Sequence, residues 1–492
     1  MRDLGVGIDI GTTAVKIVAL SPTGEVVFES SIDHPLFSDQ PGCAEEDATL
    51  WWASTQTLLK RLCAAVGSDR IAGIACSGMV PAVVLLDGEG RPVRRSIQQN
   101  DSRAGAEIAR WKQRINEDSY FSRTGNTINQ QVVFPKIDWV RTHEPEVWER
   151  TASVVGSYDY VGLQLTGMPT LELNWALESG MWLLRDHSWD PEVLNEMGLP
   201  KEMLPEVRAA GSPIGGVTRD VSMATGIDEG TPVFVGIADH VSSAFAMSVI
   251  EPGDILLKLG GAGDVLMAVD SPVTDPRLFI DYHPIAGRYL LNGCMASSGS
   301  IVRWLLALFG DDDTTALTRD AELLPPGSHG LVALPYFLGE KTPIFDVDAR
   351  GVFFGLTLSH GRAHLFRAIL EAVAFGFMHH IEVLRDIGME PKRVVLSNGG
   401  ARSPLWKQIV LDVIGMPGWY AADNPGSCVG AAAVALQSAG VTAQWEALAR
   451  FSQQALPLEY SPSNHSQYKR YYAVYRQLYS RLQSLFPELR LE

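Results

Sequence analysis

One pattern constrains the fold of this chain more than any other, and it occurs twice: an apolar run, a glycine-containing turn, then a second apolar run. The first copy is Leu4–Ile10, Gly11-Thr12-Thr13 and Val15–Leu20; the second is Ile255–Leu259, Gly260-Gly261-Ala262-Gly263 and Val265–Val269. Short apolar runs bounded by turn residues predict buried strands. A strand–turn–strand near the start of each half predicts a structural duplication, although the copies share little literal sequence. Ser21–Gly24 turns the first copy into a third strand at Glu25–Ser30, and Glu251-Pro252-Gly253 interrupts the chain before the second. The expected division is therefore 1–249 and 250–492, and 492 residues suit two domains better than one core.

Other elements fall around this frame. Asp47 is placed to cap a helix carrying Trp51, Leu58, Leu62 and Val66 on one face. Ile71–Cys76 and Val83–Leu86 read as strands around a Ser77-Gly78 turn, and Gly230–Gly236 reads as a strand that leads through Asp239 into a helix at Val241–Met247. Leu365, Ile369, Val373, Phe377, Ile381 and Leu384 recur at helical spacing and predict a buried helix; the adjacent His379 and His380 on it read as structural. Val394–Leu396 reads as a strand running into Gly399-Gly400, with a helix from about Pro404. The tail from about 441 is expected to be helical from about Gln467, with Tyr471, Tyr475, Leu478, Leu482 and Leu485 on its packed face.

Composition excludes several classes. A 46% apolar, 20% charged chain is globular, and a net charge of −17 argues against a nucleic-acid partner. It does not argue against an anionic small ligand, which backbone amides can bind. Five scattered cysteines form no metal or redox spacing and read as reduced thiols of a cytoplasmic protein. The N-terminal run has no signal-peptide core, and no apolar stretch approaches the ~18 residues of a membrane span.

Four segments could carry chemistry. Asp9 ends an apolar strand before Gly11-Thr12-Thr13, whose amides and hydroxyls suit phosphate oxygens; a plain turn aspartate is the alternative. Asp239 follows a strand and precedes small residues that leave room for a substrate, so it can be a base within reach of an alcohol or simply a helix cap. Gly260-Gly261-Ala262-Gly263 and Gly399-Gly400-Ala401-Arg402-Ser403 are loops able to meet a ligand with backbone. Gly5, Gly7 and Gly11 miss the G-x-G-x-x-G spacing, and no G-x-x-x-x-G-K-[ST] occurs, which excludes both common nucleotide fingerprints.

Together these segments are recognisable. Gly351-Val-Phe353-Phe-Gly355-Leu356, seven residues, His364-Leu365, two residues and Ala368-Ile369-Leu370-Glu371 resemble the C-terminal signature of the FGGY carbohydrate kinases. Leu334-Pro335-Tyr336, Gly339-Glu340-Lys341-Thr342-Pro343, Gly7–Thr13 and Gly399–Trp406 resemble the same family, over about residues 4–440. The resemblance implies an α/β, two-lobed actin-like ATPase fold of duplicated ribonuclease H-like domains with a central cleft. It implies ATP and Mg²⁺ as cofactors and transfer of the γ-phosphate to a small sugar. Asp9 would hold the metal, Gly11, Thr12 and Thr13 the phosphates with Gly260 and Gly261, and Gly399, Gly400, Ala401 and Ser403 the adenosine. Asp239 would be the catalytic base. A homodimer is among the states such a resemblance allows.

Within the family the likeness is to xylulokinase-like members, which makes a ketopentose such as D-xylulose the expected substrate. Ribulose, erythritol or glycerol is the alternative, followed by a non-catalytic nucleotide-dependent regulator. Asn100-Asp101-Ser102-Arg103 resembles the sugar-side Asn-Asp-x-Arg, so Asp101 and Arg103 join Met79, Val80, Asp239 and His240 as substrate-side candidates. Three positions depart from the pattern. Gly78-Met79-Val80-Pro81-Ala82 replaces Gly-Gln-Met-His-Gly, His240 replaces an asparagine, and Gly260-Gly261-Ala262-Gly263 replaces Gly-Thr-Ser-Gly. His240 is read either as a residue that donates to a substrate hydroxyl or orients Asp239, or as a packing residue.

Overall fold

A computed structural model describes residues 2–40, 42–310, 314–420, 426–443, 445, 448 and 456–489. The chain forms two compact units. One gathers Met1–Ser248, Ile280–Tyr289 and Asp423–Gln453; the other gathers Val249–Phe279, Leu290–Ala422 and Gln454–Glu492.

The first unit is built on a mixed sheet. Its strands are β1 (Leu4–Ile10), β2 (Ala14–Leu20), β3 (Val26–Asp33), β4 (Ile71–Gly78), β5 (Pro213–Gly216) and β6 (Pro232–Ala238), in the order β5-β6-β4-β1-β2-β3. β1 and β4 are buried along their whole length, as near-continuous apolar runs covered on both faces should be. β3, at the sheet edge, alternates between half-buried and exposed. The meander β1-β2-β3 is antiparallel, whereas β4 pairs parallel with β1, and β6 parallel with β4. The structure corrects one reading here. Ser77 and Gly78 do not turn but finish β4, because Asp9 and Ile10 pair with them on one side and Ile237 and Ala238 on the other.

Helix α1 (Ala48–Val66) starts where the sequence predicts, with the Asp47 carboxylate accepting from Thr49 N–H at 2.9 Å. The short helices α2 (Leu173–Glu178) and α3 (Asp239–Ala246) flank the site described below. Gly5 and Gly7 have a reason unrelated to any nucleotide fingerprint. A Cβ at Gly7 would lie 1.9 Å from the Cys428 carbonyl oxygen, and one at Gly5 2.4 Å from that of Ala432. A later helix of the same unit, Ser427–Ser438, therefore rests its backbone directly on β1.

The second unit repeats the plan. Its sheet carries, in order, β9 (Tyr289–Met295), β8 (Gly263–Val269), β7 (Asp254–Leu259), β10 (Arg393–Ser397), β11 (Gly418–Tyr420) and β12 (Leu456–Leu458). β7 and β8 are antiparallel; β10 is parallel to β7, and β11 to β10. An antiparallel edge strand closes each sheet, β5 in the first and β12 in the second. The duplication expected from the two strand–turn–strand copies is thus present in both sheets.

The predicted apolar stripe lies on α4 (Arg362–Asp386), with Ile369, Val373, Phe377, Ile381 and Leu384 buried. His379 and His380 are buried as well, and His380 bonds Thr342 Oγ1 at 2.8 Å and the Gly376 carbonyl at 2.8 Å. Two further helices complete the elements used below, α5 (Pro404–Ile414) and α6 (Ser427–Ser438).

Of the tail from about 441, residues 444, 446, 447, 449–455 and 490–492 lie outside the described residues. The last helix, α7 (Pro462–Leu482), begins earlier than expected and buries Tyr468, Tyr472, Tyr475 and Leu478. Tyr471 is only half-buried and Leu485, beyond the helix, is exposed. The register follows Phe375, whose ring meets those of Tyr468, Tyr472 and Tyr475, and the 2.8 Å bond between the Tyr336 and Tyr475 hydroxyls. No helix among the described residues is long and apolar enough to cross a membrane.

Candidate active site

Parallel strands end on the same side of a sheet, and ligands of open α/β sheets collect at their carboxyl ends. In the first unit β1, β4 and β6 bring Asp9, Ser77 and Asp239 to that edge. Asp9 is only 7% exposed. Burial pushes its carboxyl pKa up, and the nearby Asp239 charge adds to this; hydrogen bonds from Ser77 and Ser427 and the charge of Lys16 oppose it. Ser77 Oγ donates to Asp9 Oδ1 at 2.5 Å. Asp9 is thus a buried carboxylate held mostly by hydroxyls, an environment that suits an added cation.

Asp239 is the first residue of α3, with a side chain 37% exposed, and its Oδ1 accepts from His240 N–H at 2.7 Å. It makes no capping bond to the next turn of the helix. His240 is its partner in a carboxylate-lined cluster. Nδ1 lies 3.4 Å from Asp239 Oδ1, while Nε2 lies 3.0 Å from Asp281 Oδ2 and 3.8 Å from Glu178 Oε1. Desolvation lowers the imidazole pKa, but Asp281, Asp239 and Glu178 together overcome it and hold the ring well above its ordinary value. Burial in turn pushes Glu178 well above the usual carboxylate range, against the pull of His240. The ligand atoms of Glu178, His240 and Asp281 converge as a metal set would. An imidazolium engaged by carboxylates at both nitrogens has no lone pair to offer, however, so the cluster reads as an ion-pair network.

Its geometry is built by one asparagine. Asn174 on α2 accepts from Tyr282 N–H at 2.6 Å through Oδ1 and donates to the Tyr282 carbonyl at 3.0 Å through Nδ2. That two-way bond ties the Asp281-bearing segment to α2, which ends at Glu178. Glu172 caps α2 by accepting from Asn174 N–H and Trp175 N–H, and burial raises its pKa to about 7.

The loop Gly11-Thr12-Thr13 projects from the same edge, with Thr13 exposed. Met79 and Val80 follow β4 and are buried, and Met79 N–H donates to the Ile10 carbonyl at 3.1 Å. Asp101 and Arg103 are engaged with the protein itself. Arg103 grips the Asp101 carboxylate through Nε at 2.9 Å and Nη2 at 2.7 Å and also reaches Glu45 at 2.7 Å, while Asp101 accepts from Ala44 N–H at 2.6 Å. Both side chains are almost fully buried.

The second unit brings its two glycine loops together. Gly260-Gly261 follows β7, Gly399–Arg402 follows β10, and the two strands are adjacent and parallel. A Cβ at Gly400 would meet Leu259 at 2.8 Å and the Trp406 ring at 2.6 Å, so backbone approaches closely there. The carbonyls of Gly260 and Gly261 accept from the N–H groups of Gly299 and Ser298, both at 2.8 Å, which anchors that loop. Gly399 and Gly261 are exposed, Ala401 is buried, and Ser403 caps α5 by accepting from Trp406 N–H at 3.3 Å.

Four residues of the first cluster were not anticipated: Ser77, Ser427, Glu178 and Asp281. Asp281 did carry a signal, since Leu278-Phe279-Ile280-Asp281-Tyr282 sets a carboxylate in an apolar run much as Asp9 is set. The other three carried none, because only the fold brings them to the site.

The sequence matches the FGGY family of carbohydrate kinases twice, the N-terminal domain over residues 4–246 and the C-terminal domain over residues 261–439. The crystal structure of xylulose kinase from Rhodospirillum rubrum is 40% identical with a TM-score of 0.92, covering 98% of this chain and 99% of that one. The xylulose kinase of Escherichia coli strain K12 is 29% identical over 486 residues, covering 98% of this chain and 99% of the relative. The gluconokinase of Bacillus subtilis strain 168 is 28% identical over 461 residues, covering 91% and 90%. With matches running through both halves, this chain belongs to the FGGY family of carbohydrate kinases, two-domain α/β enzymes of the actin-like fold that use ATP to phosphorylate an alcohol group.

Proposed function

We propose that this kinase transfers the γ-phosphate of ATP to a hydroxyl of a neutral ketopentose, D-xylulose foremost, with Asp239 as the catalytic base. The observation that carries this reading is the cluster at the end of β6, where Asp239 is half-exposed beside a histidine pinned by Asp281 and Glu178. Phosphoryl transfer to an alcohol needs a carboxylate to take the hydroxyl proton as attack begins. The adjacent His240 fixes the orientation of that carboxylate, through its backbone N–H at 2.7 Å and its ring at 3.4 Å. His240 is therefore a positioning residue in this proposal, since it acts through Asp239.

Asp9 fits Mg²⁺, a hard cation that prefers oxygen ligands, because its carboxylate is buried, repelled by Asp239 and held mainly by hydroxyls. Bound there, Mg²⁺ supplies charge neutralisation for the phosphates. Gly11, Thr12 and Thr13 would present amides and hydroxyls to phosphate, and Gly260 and Gly261 would present amides. Gly399 and Gly400 would face the adenosine with backbone, Ser403 setting the start of α5 behind them. Buried Ala401 supports that turn. Asp101 and Arg103, locked to each other, would shape the sugar side together with Met79 and Val80.

The named relatives include both xylulose kinases and gluconokinases. The charge pattern favours the former for this chain. Asp239, Asp281 and Glu178 already face the one imidazole, so a substrate carboxylate brought to the cluster would be a fourth acid around it.

The test is ATP consumption with D-xylulose, L-xylulose, D-ribulose, L-ribulose, erythritol, glycerol and D-gluconate. D-xylulose is expected to give the highest kcat/KM and D-gluconate none above background. A higher kcat/KM for D-gluconate than for every ketopentose would end the proposal.

A further inference from the structure

We propose that His34 and Glu46 form a buried strap that fixes the first phosphate loop, making His34 a positioning residue for ATP. The proposal rests on reading Gly11–Thr13 as that loop. The His34 side chain is 3% exposed and that of Glu46 0%. His34 holds the loop at both ends. Its backbone N–H donates to the Thr13 carbonyl at 3.0 Å, and its ring Nε2 lies 3.0 Å from the Gly11 carbonyl oxygen.

The proton positions follow from the chemistry of the partners. A carbonyl only accepts, so Nε2 carries the hydrogen. The other nitrogen, Nδ1, faces Glu46 Oε2 at 3.4 Å. A neutral ring beside a protonated carboxyl, or an imidazolium beside a carboxylate, would each keep the pair neutral overall. Burial moves both members toward their neutral forms, lowering His34 and raising Glu46 to about 8. Glu46 is itself anchored, its Oε2 accepting from Trp51 Nε1 at 2.9 Å and its backbone carbonyl from Ser96 Oγ at 3.0 Å.

The consequence is in the peptide plane. In a trans peptide the C=O and the following N–H point in opposite directions. Tethering the Gly11 carbonyl to His34 therefore aims the Thr12 N–H away from the strap, as a donor for an anion. Glycine leaves this peptide free to rotate, so an outside tether is needed. Without it the carbonyl can swing toward the phosphates and repel them.

Steady-state kinetics with ATP and the preferred sugar test this. His34→Ala should raise the KM for ATP about three- to tenfold, the range of one lost hydrogen bond, with kcat and the sugar KM little changed. His34→Gln, which keeps an N–H donor of similar reach, should restore most of the ATP KM. Glu46→Leu should follow His34→Ala. A Thr12→Ala/Thr13→Ala double variant reports on the loop independently. If it raises the ATP KM while His34→Ala does not, the strap is overturned alone. An ATP KM unchanged in the double variant and in His34→Ala overturns the loop reading and the strap with it. Failure of His34→Gln to rescue, with both variants folded by thermal melt, makes His34 a packing residue and also overturns the proposal.

Discussion

Asp9 in the first unit and Glu371 in the second are both buried carboxylates, and burial raises the pKa of each. What meets them differs. Glu371 receives Arg367 Nε at 2.8 Å, the Tyr468 hydroxyl at 3.0 Å and the Gly327 N–H at 3.0 Å. Arg367 also donates to Tyr468 and to the Ala321 carbonyl, so the pair fastens α4, α7 and the segments around 321 and 327 to one another. Asp9 has serine hydroxyls, the charge of Lys16 on the neighbouring strand and the repulsion of Asp239. A buried carboxylate with its own guanidinium is architecture. One left short of positive charge beside a second acid is where a cationic ligand belongs. Glu371 is part of the motif that identifies the family, yet its chemistry is entirely structural.

Three substitutions would break or sharpen that contrast. The largest effect is expected from Asp239→Asn, which removes the proposed proton acceptor. kcat should fall about 10²–10⁴-fold, while ATP binding measured by calorimetry persists; turnover at the wild-type rate would remove the base from the first unit altogether. Next is Arg367→Met, which strands Glu371 as an unpaired buried acid. It should cost about 3–5 kcal/mol of stability in denaturant melts, with both KM values unchanged in the fraction that folds. Loss of catalysis without loss of stability would show that the second unit's carboxylate is not purely architectural.

The smallest effect is expected from His240→Asn. Removing the partner that orients Asp239 should lower the kcat/KM plateau about tenfold. Stability has its own sign. Because the folded pKa of His240 lies above the ordinary value of about 6.5, its charged interactions contribute fully below that pH. They fade as pH rises through the folded value. The melting-temperature gap between wild type and His240→Asn should therefore be widest in mild acid and close in alkali. A gap that does not depend on pH would mean the ring is neutral and merely packs.

Local signals in the sequence were enough for the repeated strand–turn–strand, the Asp47 cap and the stripe on α4, since each depends on neighbours a few residues away. Asp9 and Asp239 stood out for a related reason, since a carboxylate at the end of an apolar run is costly unless something meets it, and the fold does bring both to one sheet edge. Ser77 was misread because serine and glycine together resemble a turn, and only pairing on both sides makes them strand. Glu178 and Asp281 reach His240 through Asn174, a contact between distant segments that no periodicity encodes. The tail helix was expected and its face was right at Tyr475 and Leu478, but Tyr468 and Tyr472 pack in place of Tyr471, since Phe375 and Tyr336, far away in sequence, set its rotation.

Helix α6 has one more consequence. It lies so close on β1 that Gly5 and Gly7 tolerate no side chain beneath it, and it presses on α3 just as tightly, where a Cβ at Gly430 would come 2.3 Å from the Ser242 carbonyl oxygen. β1 is made more than 400 residues before α6, so on a chain made at about 5–20 residues per second the sheet waits tens of seconds for its cover. Until then an apolar face stands bare on the nascent chain. A transcript cut short anywhere before Ser427 yields a first unit that cannot close over its own oldest strand, however complete its catalytic residues.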